Sequence, residues 1–378
     1  MKKILYIATG DNNGSSLALL SLIDSLDDKI IPYVIYSREA GLKAELDKRG
    51  IESICIYMQP NAYPPTNGLK NKLVFVRELL KGLILYRRGL KKVYEIVEKI
   101  KPDIIHTNVG IYHQGFEIAK KKHIPHVWHI REFQDLDFDI KILWTKKRFI
   151  KKLNSPFNRN ITITKCVAFH FGLDVSTVIY DGVCDENLPS IEFKKQNIFL
   201  FVGSISEKKG TGLLVSSFLE FCKFHDNVKL LIVGSDNNEY VYKLKQKISK
   251  SKYSDNIKFL GYRKDRLQLM HSSKAIIVPS ISEGFGLITA EAMSQGCFVI
   301  GRNCAGTKEQ FDNAFEDVEY DVGLRFMTKD ELIDRMKQVL TMPFKEYNRK
   351  IIAAKKVVLG RYSIKNNANK ILKIYNEL

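Results

Sequence analysis

Short apolar runs alternate along the chain with longer stretches of helical period. In the first half the runs lie at 3–9, 30–36, 53–57, 103–106, 125–129, 160–163 and 177–180. Amphipathic patterns fall between them, the longest at about 70–100. A second series starts afresh at 197–203 and continues at 230–234, 257–260, 275–279 and 297–301. Buried strands alternating with helices predict βαβ units around a parallel sheet, so each half reads as its own doubly wound α/β sheet. Segment 184–196 is polar, carries Pro189 and lacks periodicity, and is read as a linker. The expected division is an N-terminal domain over 1–187, a C-terminal domain over 188–360 and a closing segment over 361–378. Two such sheets imply a cleft between them, and in open α/β sheets ligands bind outside the carboxyl ends of the strands.

Composition changes this picture little. Of 378 residues, 45% are hydrophobic and 27% charged, which excludes a disordered or fibrous chain. The apolar run after Met1 ends at Gly10, too short for a signal-peptide core, and no stretch approaches the roughly 20 apolar residues of a membrane span. The expectation is a cytoplasmic protein, soluble or peripheral at the inner face of a membrane. Cys55, Cys166, Cys184, Cys222, Cys297 and Cys304 show no CxxC spacing and are expected to be reduced core thiols. The net charge of +18 calls for an anionic partner: nucleic acid, a membrane surface or a phosphorylated ligand. It is shared along the chain, with 29 basic against 21 acidic residues up to 190 and 31 against 21 after it.

Two loops of the second half carry candidate chemistry. Gly203-Ser204-Ile205-Ser206-Glu207-Lys208-Lys209-Gly210 leaves a strand and enters a helix near Thr211. Lys209 there is placed either to neutralise a phosphate at the helix N-terminus or simply to face water. The second loop runs from Pro279 through Glu283-Gly284-Phe285-Gly286-Leu287 to Glu291. Gly284 and Gly286 let backbone amides approach a ligand, and the following helix offers its N-terminus to a pyrophosphate. Glu291, one turn inside that helix, suits a ribose diol, and Glu283 another hydroxyl or a developing positive charge.

Glu283-Gly-Phe-Gly-Leu through Glu291-Ala-Met-Ser-Gln-Gly resembles the E-x7-E signature of retaining GT-B glycosyltransferases, family 4. Phe201 to Gly210 resembles that family's phosphate loop, Asp181-Gly182-Val183 its pre-linker turn, and Gly306-Thr307-Lys308-Glu309 and Val322-Gly323-Leu324 its later landmarks. Arg361-Tyr362-Ser363 and the last helix resemble the tail that returns to the first domain. The resemblance implies a GT-B fold of two Rossmann-like domains with an interdomain cleft. It also implies metal-independent transfer, without a cofactor, from a nucleotide-diphosphate sugar of UDP or GDP type to a glycan or lipid-linked glycan. In that mapping Lys209 contacts the diphosphate, Glu291 the ribose, and Glu283 with the amides of Gly284, Phe285 and Gly286 the sugar. Gly203 and Leu287 flank these groups, and Gly14 approaches from the first domain. Ser204 stands where the family usually has arginine, with Lys208 and Arg131 as substitute cations.

In the first half, His106 and His129 end or nearly end strands. His129 matches the family's donor-lining histidine and is assigned a catalytic role with Lys209 and Glu283, whereas His106 and His126 are read as packing residues. Asp135, Asp137 and Asp139 have D-x-D spacing but are read as loop acids, with no metal site assigned. Lys70 to Lys101 holds ten basic residues against three glutamates, interleaved with apolar ones, and Lys141 to Lys152 forms a second basic run. Both suit either an anionic membrane surface or ordinary helices with solvated lysines. A nucleotide-sugar epimerase and a nucleic-acid-binding protein are the competing readings. No nucleic-acid motif is visible, and nucleic acid is not an expected partner.

Overall fold

The computed structural model describes residues 1–378 except 12, 64–67, 139–145 and 175–176, with backbone alone at 69–70 and 137–138. The chain forms two compact units: Met1–Gly182 with Ile364–Leu378, and Val183–Ser363. Unit 1 holds β1 (Lys2–Ala8), β2 (Ile30–Tyr36), β3 (Glu52–Cys55), β4 (Ile104–Thr107), β5 (His126–Ile130) and β6 (Asn158–Thr162). Unit 2 holds β7 (Gln196–Val202), β8 (Lys229–Val233), β9 (Ile257–Phe259), β10 (Ser273–Val278), β11 (Phe298–Arg302) and β12 (Leu324–Phe326). The sheet orders are β3-β2-β1-β4-β5-β6 and β12-β11-β10-β7-β8-β9. Every pairing in both sheets is parallel. Counted from each unit's own first strand, both follow the 3-2-1-4-5-6 order of a Rossmann sheet, whose order reverses between β1 and β4 and between β7 and β10.

Strand alternation explains why both faces of each sheet are covered. Ile4, Tyr6 and Ala8 of β1 join one apolar cluster with Ala368, Ile371 and Tyr375 of the final helix, Ile364–Glu377. Leu5 and Ile7 point the other way, into a cluster with Val93 and Val97 of the long helix Leu69–Ile100. The final helix is fastened to unit 1 by polar contacts too. The Tyr375 hydroxyl lies 2.5 Å from His106 Nδ1 and donates to Tyr6 over 3.1 Å, and Asn367 Nδ2 donates to Tyr180 O over 2.8 Å. In unit 2, Phe199 and Phe201 of β7 pack with Leu214, Phe218 and Phe221 of the next helix.

Four expectations need correction. The run 177–180 is not a strand: Val178 makes one isolated bridge to Thr162 of the edge strand β6 before the chain turns toward Asp181, which is bound by Arg131. β12 has only three residues, with Arg325 in the middle, too short to leave an apolar signature. Segment 184–196 is no linker but part of unit 2. Val183 N donates to Tyr362 O over 2.9 Å, Cys184 bridges Ser363, and Lys355 Nζ donates to Pro189 O. Those contacts set the unit boundaries after Gly182 and Ser363 rather than after 187 and 360. The six thiols are free, but Cys55 is exposed and Cys166 and Cys304 only half-buried, so three of them are not core residues. Among the described residues no helix is long and apolar enough to cross a membrane.

Candidate functional site

In unit 2 the site is built at the sheet's reversal point. β7 ends at Val202, and Gly203 turns off it with φ 151°. The loop folds back at Gly210 (φ 69°), where a Cβ would meet Pro279 O at 2.2 Å. Glycine there lets the loop after β7 lie against the loop after β10, and Ile281 N donates to Lys208 O over 3.0 Å to join them. This approach brings Lys209 Nζ to 2.8 Å from Glu283 Oε1, with both side chains partly exposed. Ser204 is exposed on the same loop.

A third loop locks the glycine turn. Gly306 N donates to Glu283 O over 2.9 Å, and a Cβ at Gly306 would meet Phe285 O at 2.4 Å. The wholly buried Gln310 donates through Nε2 to Phe285 O (2.6 Å) and Gly286 O (3.0 Å). In a trans peptide the N–H opposes the C=O, so the amides of Gly286 and Leu287 are directed away from Gln310. Gly286, with φ 84°, caps the helix Leu287–Ser294, whose first turn carries no acid. The N-terminus of that helix therefore keeps its partial positive charge for an anion. One turn in, Glu291 is gripped at both oxygens by Arg266, Nε to Oε2 at 3.1 Å and NH2 to Oε1 at 3.0 Å. The carboxylate is 14% exposed, so it can still meet a ligand while its orientation is held by the guanidinium fork.

Unit 1 builds a different cluster at the corresponding place. Gly14 opens the helix Gly14–Ser25, capped by Asn13 Oδ1, which accepts from Ser16 N over 3.1 Å. Just beyond β4, Asn108 Nδ2 donates to Ser15 O (3.0 Å) and its Oδ1 accepts from Arg131 Nε (3.0 Å). Arg131 also forms a buried salt bridge with Asp181 and reaches His129 Nδ1 over 3.3 Å. An arginine only donates, so His129 Nδ1 accepts and the neutral ring carries its proton on Nε2. That nitrogen is buried without a partner. Burial, with Arg131 and His106 nearby, holds the His129 pKa well below the usual histidine value. His129 thus offers a neutral, unsatisfied donor.

The structure groups the expected residues by unit. Gly203, Ser204, Lys209, Glu283, Gly284, Phe285, Gly286, Leu287 and Glu291 lie on adjoining loops and one helix of unit 2, whereas Gly14, His129 and Arg131 belong to unit 1. Arg131 is committed to Asp181, Asn108 and His129 within its own unit. His126 is satisfied at both nitrogens, by Thr107 (2.8 Å) and Asn158 (2.6 Å). Asp135 accepts from His170 over 2.7 Å, whereas the Asp137 side chain and all of Asp139 lie outside the described residues, as do Lys141 to Thr145 of the second basic run. Sequence reasoning missed Arg266, Gln310, Asn108 and the partnership of Asp181. Each is remote in sequence from the group it holds, and none sits in a periodic or glycine-rich motif.

Comparison with known proteins places this geometry. Residues 185–357 match the model of Glycosyl transferases group 1. The matched stretch lies within unit 2 and spans most of it. The capsular polysaccharide biosynthesis glycosyltransferase CapH of Staphylococcus aureus is 26% identical over 333 residues, covering 86% of this chain and 87% of the relative. Alpha-monoglucosyldiacylglycerol synthase of Acholeplasma laidlawii is 24% identical over 306 residues, covering 71% and 74%. The fold is that of GT-B glycosyltransferases. The Anabaena HepE structure in complex with UDP superposes over 100% of both chains with a TM-score of 0.78 at 18% identity. Within the matched stretch, the Lys209–Glu283 and Arg266–Glu291 pairs flank the glycine turn.

Proposed function

We propose that this protein is a group 1 glycosyltransferase of family 4 that moves a hexose-type sugar, with retention, from a UDP or GDP sugar to a hydroxyl of a glycan or lipid-linked glycan, in bacterial surface polysaccharide synthesis. The observation that carries this reading is the pair of acid–base couples around Gly284-Phe285-Gly286, at a helix N-terminus that no side chain caps. In this reading the diphosphate lies against the amides of Gly286 and Leu287 and draws on Lys209, which its charge shares with Glu283. Glu291, oriented by Arg266, holds the ribose diol. Glu283 holds a sugar hydroxyl.

The chemistry is mainly electrostatic. As the glycosidic bond to the diphosphate breaks, positive charge grows on the sugar ring and negative charge on the leaving oxygen. A lysine and fixed amide dipoles at that oxygen stabilise the transition state more than the ground state. The acceptor hydroxyl then attacks from the face the phosphate leaves, passing its proton to that phosphate. This scheme asks nothing of a metal, and transfer is expected to persist in chelator. Support for the donor class comes from neighbours of the same fold: HepE was crystallised in complexes with UDP-glucose and with UDP and glucose, and Staphylococcus aureus TarM in a complex containing UDP. The relatives named for capsule and glycolipid synthesis support the acceptor class.

A thermal-shift panel of UDP- and GDP-sugars tests the reading, followed by NMR of the anomeric product. Stabilisation by one donor and a product with the donor's anomeric configuration are expected. No stabilisation by any nucleotide sugar overturns the assignment.

A further inference from the structure

The long helix Leu69–Ile100 of unit 1 has a side that its own fold does not use. Its packed face is clear: Val93 and Val97 are buried, and Gly82 and Gly89, two turns apart, let Tyr63 and Tyr57 approach. On the opposite face Leu73, Val76, Leu80, Leu83 and Ile84 are 74%, 51%, 60%, 41% and 56% exposed. Their spacing sets them on one stripe of a helix of 3.6 residues per turn. Arg87 and Lys91 continue the same stripe, and Arg77, Lys81 and Arg88 run along one flank, all exposed. A scatter of single exposed apolar side chains needs no explanation, but five in register edged by cations do.

Where the stripe turns basic, a cavity of about 760 Å³ opens between this helix and the helix Gln114–Lys122, lined among others by Arg87, Lys91, Lys120, Lys121 and Glu117. Its one carboxylate is already taken: Glu117 pairs with Lys152 of the second basic helix at 2.7 Å. Lys121 lies over the Tyr94 ring at 4.7 Å. Among the described residues no carboxylate forms a salt bridge with Arg87, Lys120 or Lys121. The cavity is therefore a basin of positive charge at the end of an apolar stripe.

We propose that this face is a membrane-docking surface: Leu73, Val76, Leu80, Leu83 and Ile84 enter the acyl boundary of a bilayer, and the Arg87, Lys91, Lys120 and Lys121 cavity receives the phosphate of an anionic lipid headgroup. The proposal rests on the lipid-linked acceptor reading above and names where the enzyme meets the lipid. Charge decides the occupant. A second copy seated stripe to stripe would bring two rows of cations together, whereas an anionic leaflet complements them and leaves the apolar stripe in hydrocarbon.

Co-sedimentation of the full chain with vesicles tests it. Binding to phosphatidylcholine vesicles containing phosphatidylglycerol is expected, with much weaker binding to phosphatidylcholine alone. The double variant Leu80→Glu, Leu83→Glu should lose about tenfold or more in partitioning. The variant Arg87→Gln, Lys91→Gln, Lys120→Gln, Lys121→Gln should lose the preference for anionic vesicles by a similar factor. Inorganic phosphate should not displace the wild type, which separates a lipid headgroup from a free phosphate. Unchanged melting temperatures and unchanged shifts with nucleotide sugar would show both variants folded. The proposal is overturned if the wild type stays in the supernatant with anionic vesicles, if the leucine variant partitions like the wild type, or if the leucine variant abolishes a dimer instead. Loss of vesicle binding with donor binding intact sinks this surface alone. Donor binding absent with vesicle binding intact sinks the transferase reading alone.

Discussion

The two units fold the same way and present opposite sites. In each, six parallel strands reverse order at the same place, and candidate residues gather at the carboxyl ends there. In unit 2 that place holds partly exposed charges on glycine-shaped loops: Lys209 with Glu283, and Arg266 with Glu291. In unit 1 it holds a buried salt bridge, Arg131 with Asp181, and a neutral histidine. A half-exposed pair can exchange its partner for a ligand's charge at little cost, whereas breaking a buried pair leaves an uncompensated charge. Topology supplied the location twice, and the loops decided which copy carries exchangeable charges.

The sharpest way to break this contrast is at the two cations. Lys209→Ala should lower kcat/KM for transfer by about 10²–10³, the scale of removing one donor from a charge-stabilising site. Its melting temperature should stay near that of the wild type, and wild-type rates would end the assignment. Arg131→Ala should do the reverse at the level of the fold, costing about 3–5 kcal/mol because Asp181 is left buried and unpaired. Trp128 is buried in β5 of unit 1, so in a Trp144→Phe background its fluorescence follows that unit's unfolding. A melt unchanged from wild type would remove the structural reading of the pair.

Acid should separate the units next. Burial lowers the pKa of His106, His113 and His129 well below the ordinary value and that of His126 to about 4. These rings stay neutral when folded and gain a proton when unfolded, so the unfolded state binds more protons below the ordinary histidine pKa near 6.5. Stability is full above that pH and falls as pH drops toward the folded-state values, by about 1.4 kcal/mol per pH unit for each such histidine. Tryptophan-monitored melting should therefore fall between pH 7 and pH 5, and His126→Gln should flatten the slope; a flat profile in the wild type would contradict the neutral cluster. The smallest effect is expected at Arg266. Arg266→Ala should raise the donor KM about tenfold with kcat nearly unchanged, since it removes the group that orients Glu291 but touches no reacting atom. Arg266→Lys should rescue only part, lacking the planar fork. A change in kcat without a change in KM would show that Arg266 does something else.

Much of this was legible before any coordinates. Eleven of the twelve strands coincide with or overlap an apolar run; the inner strands do so because a strand covered on both faces must be apolar throughout, whereas the edge strands β3 and β6 are only partly buried. β12 escaped because three residues cannot display a pattern, and 177–180 misled because an apolar run also serves a segment pinned beside an edge strand. The loops around Lys209 and Glu283 were visible because glycines that permit close approach mark the sequence directly, as Gly210 against Pro279 O illustrates. Arg266 and Gln310 left no such mark: each acts on a group 24 or 25 residues away, and helix packing sets that distance in space. The basic apolar helix showed a different limit. Its composition allowed two readings, and only the burial of Val93 and Val97 against the exposure of Leu73, Leu80 and Ile84 chose between its faces.

The sequence by itself determined the alternation of strands and helices, the two-sheet organisation and the glycine loop with its two glutamates, since periodicity and backbone freedom are local properties of the chain. Tertiary structure alone decided the strand order and which charges meet: Lys209 with Glu283, Arg266 with Glu291, Arg131 with Asp181. Coulomb attraction and hydrogen bonding depend on distance through space, and that distance exists only once the sheets have formed.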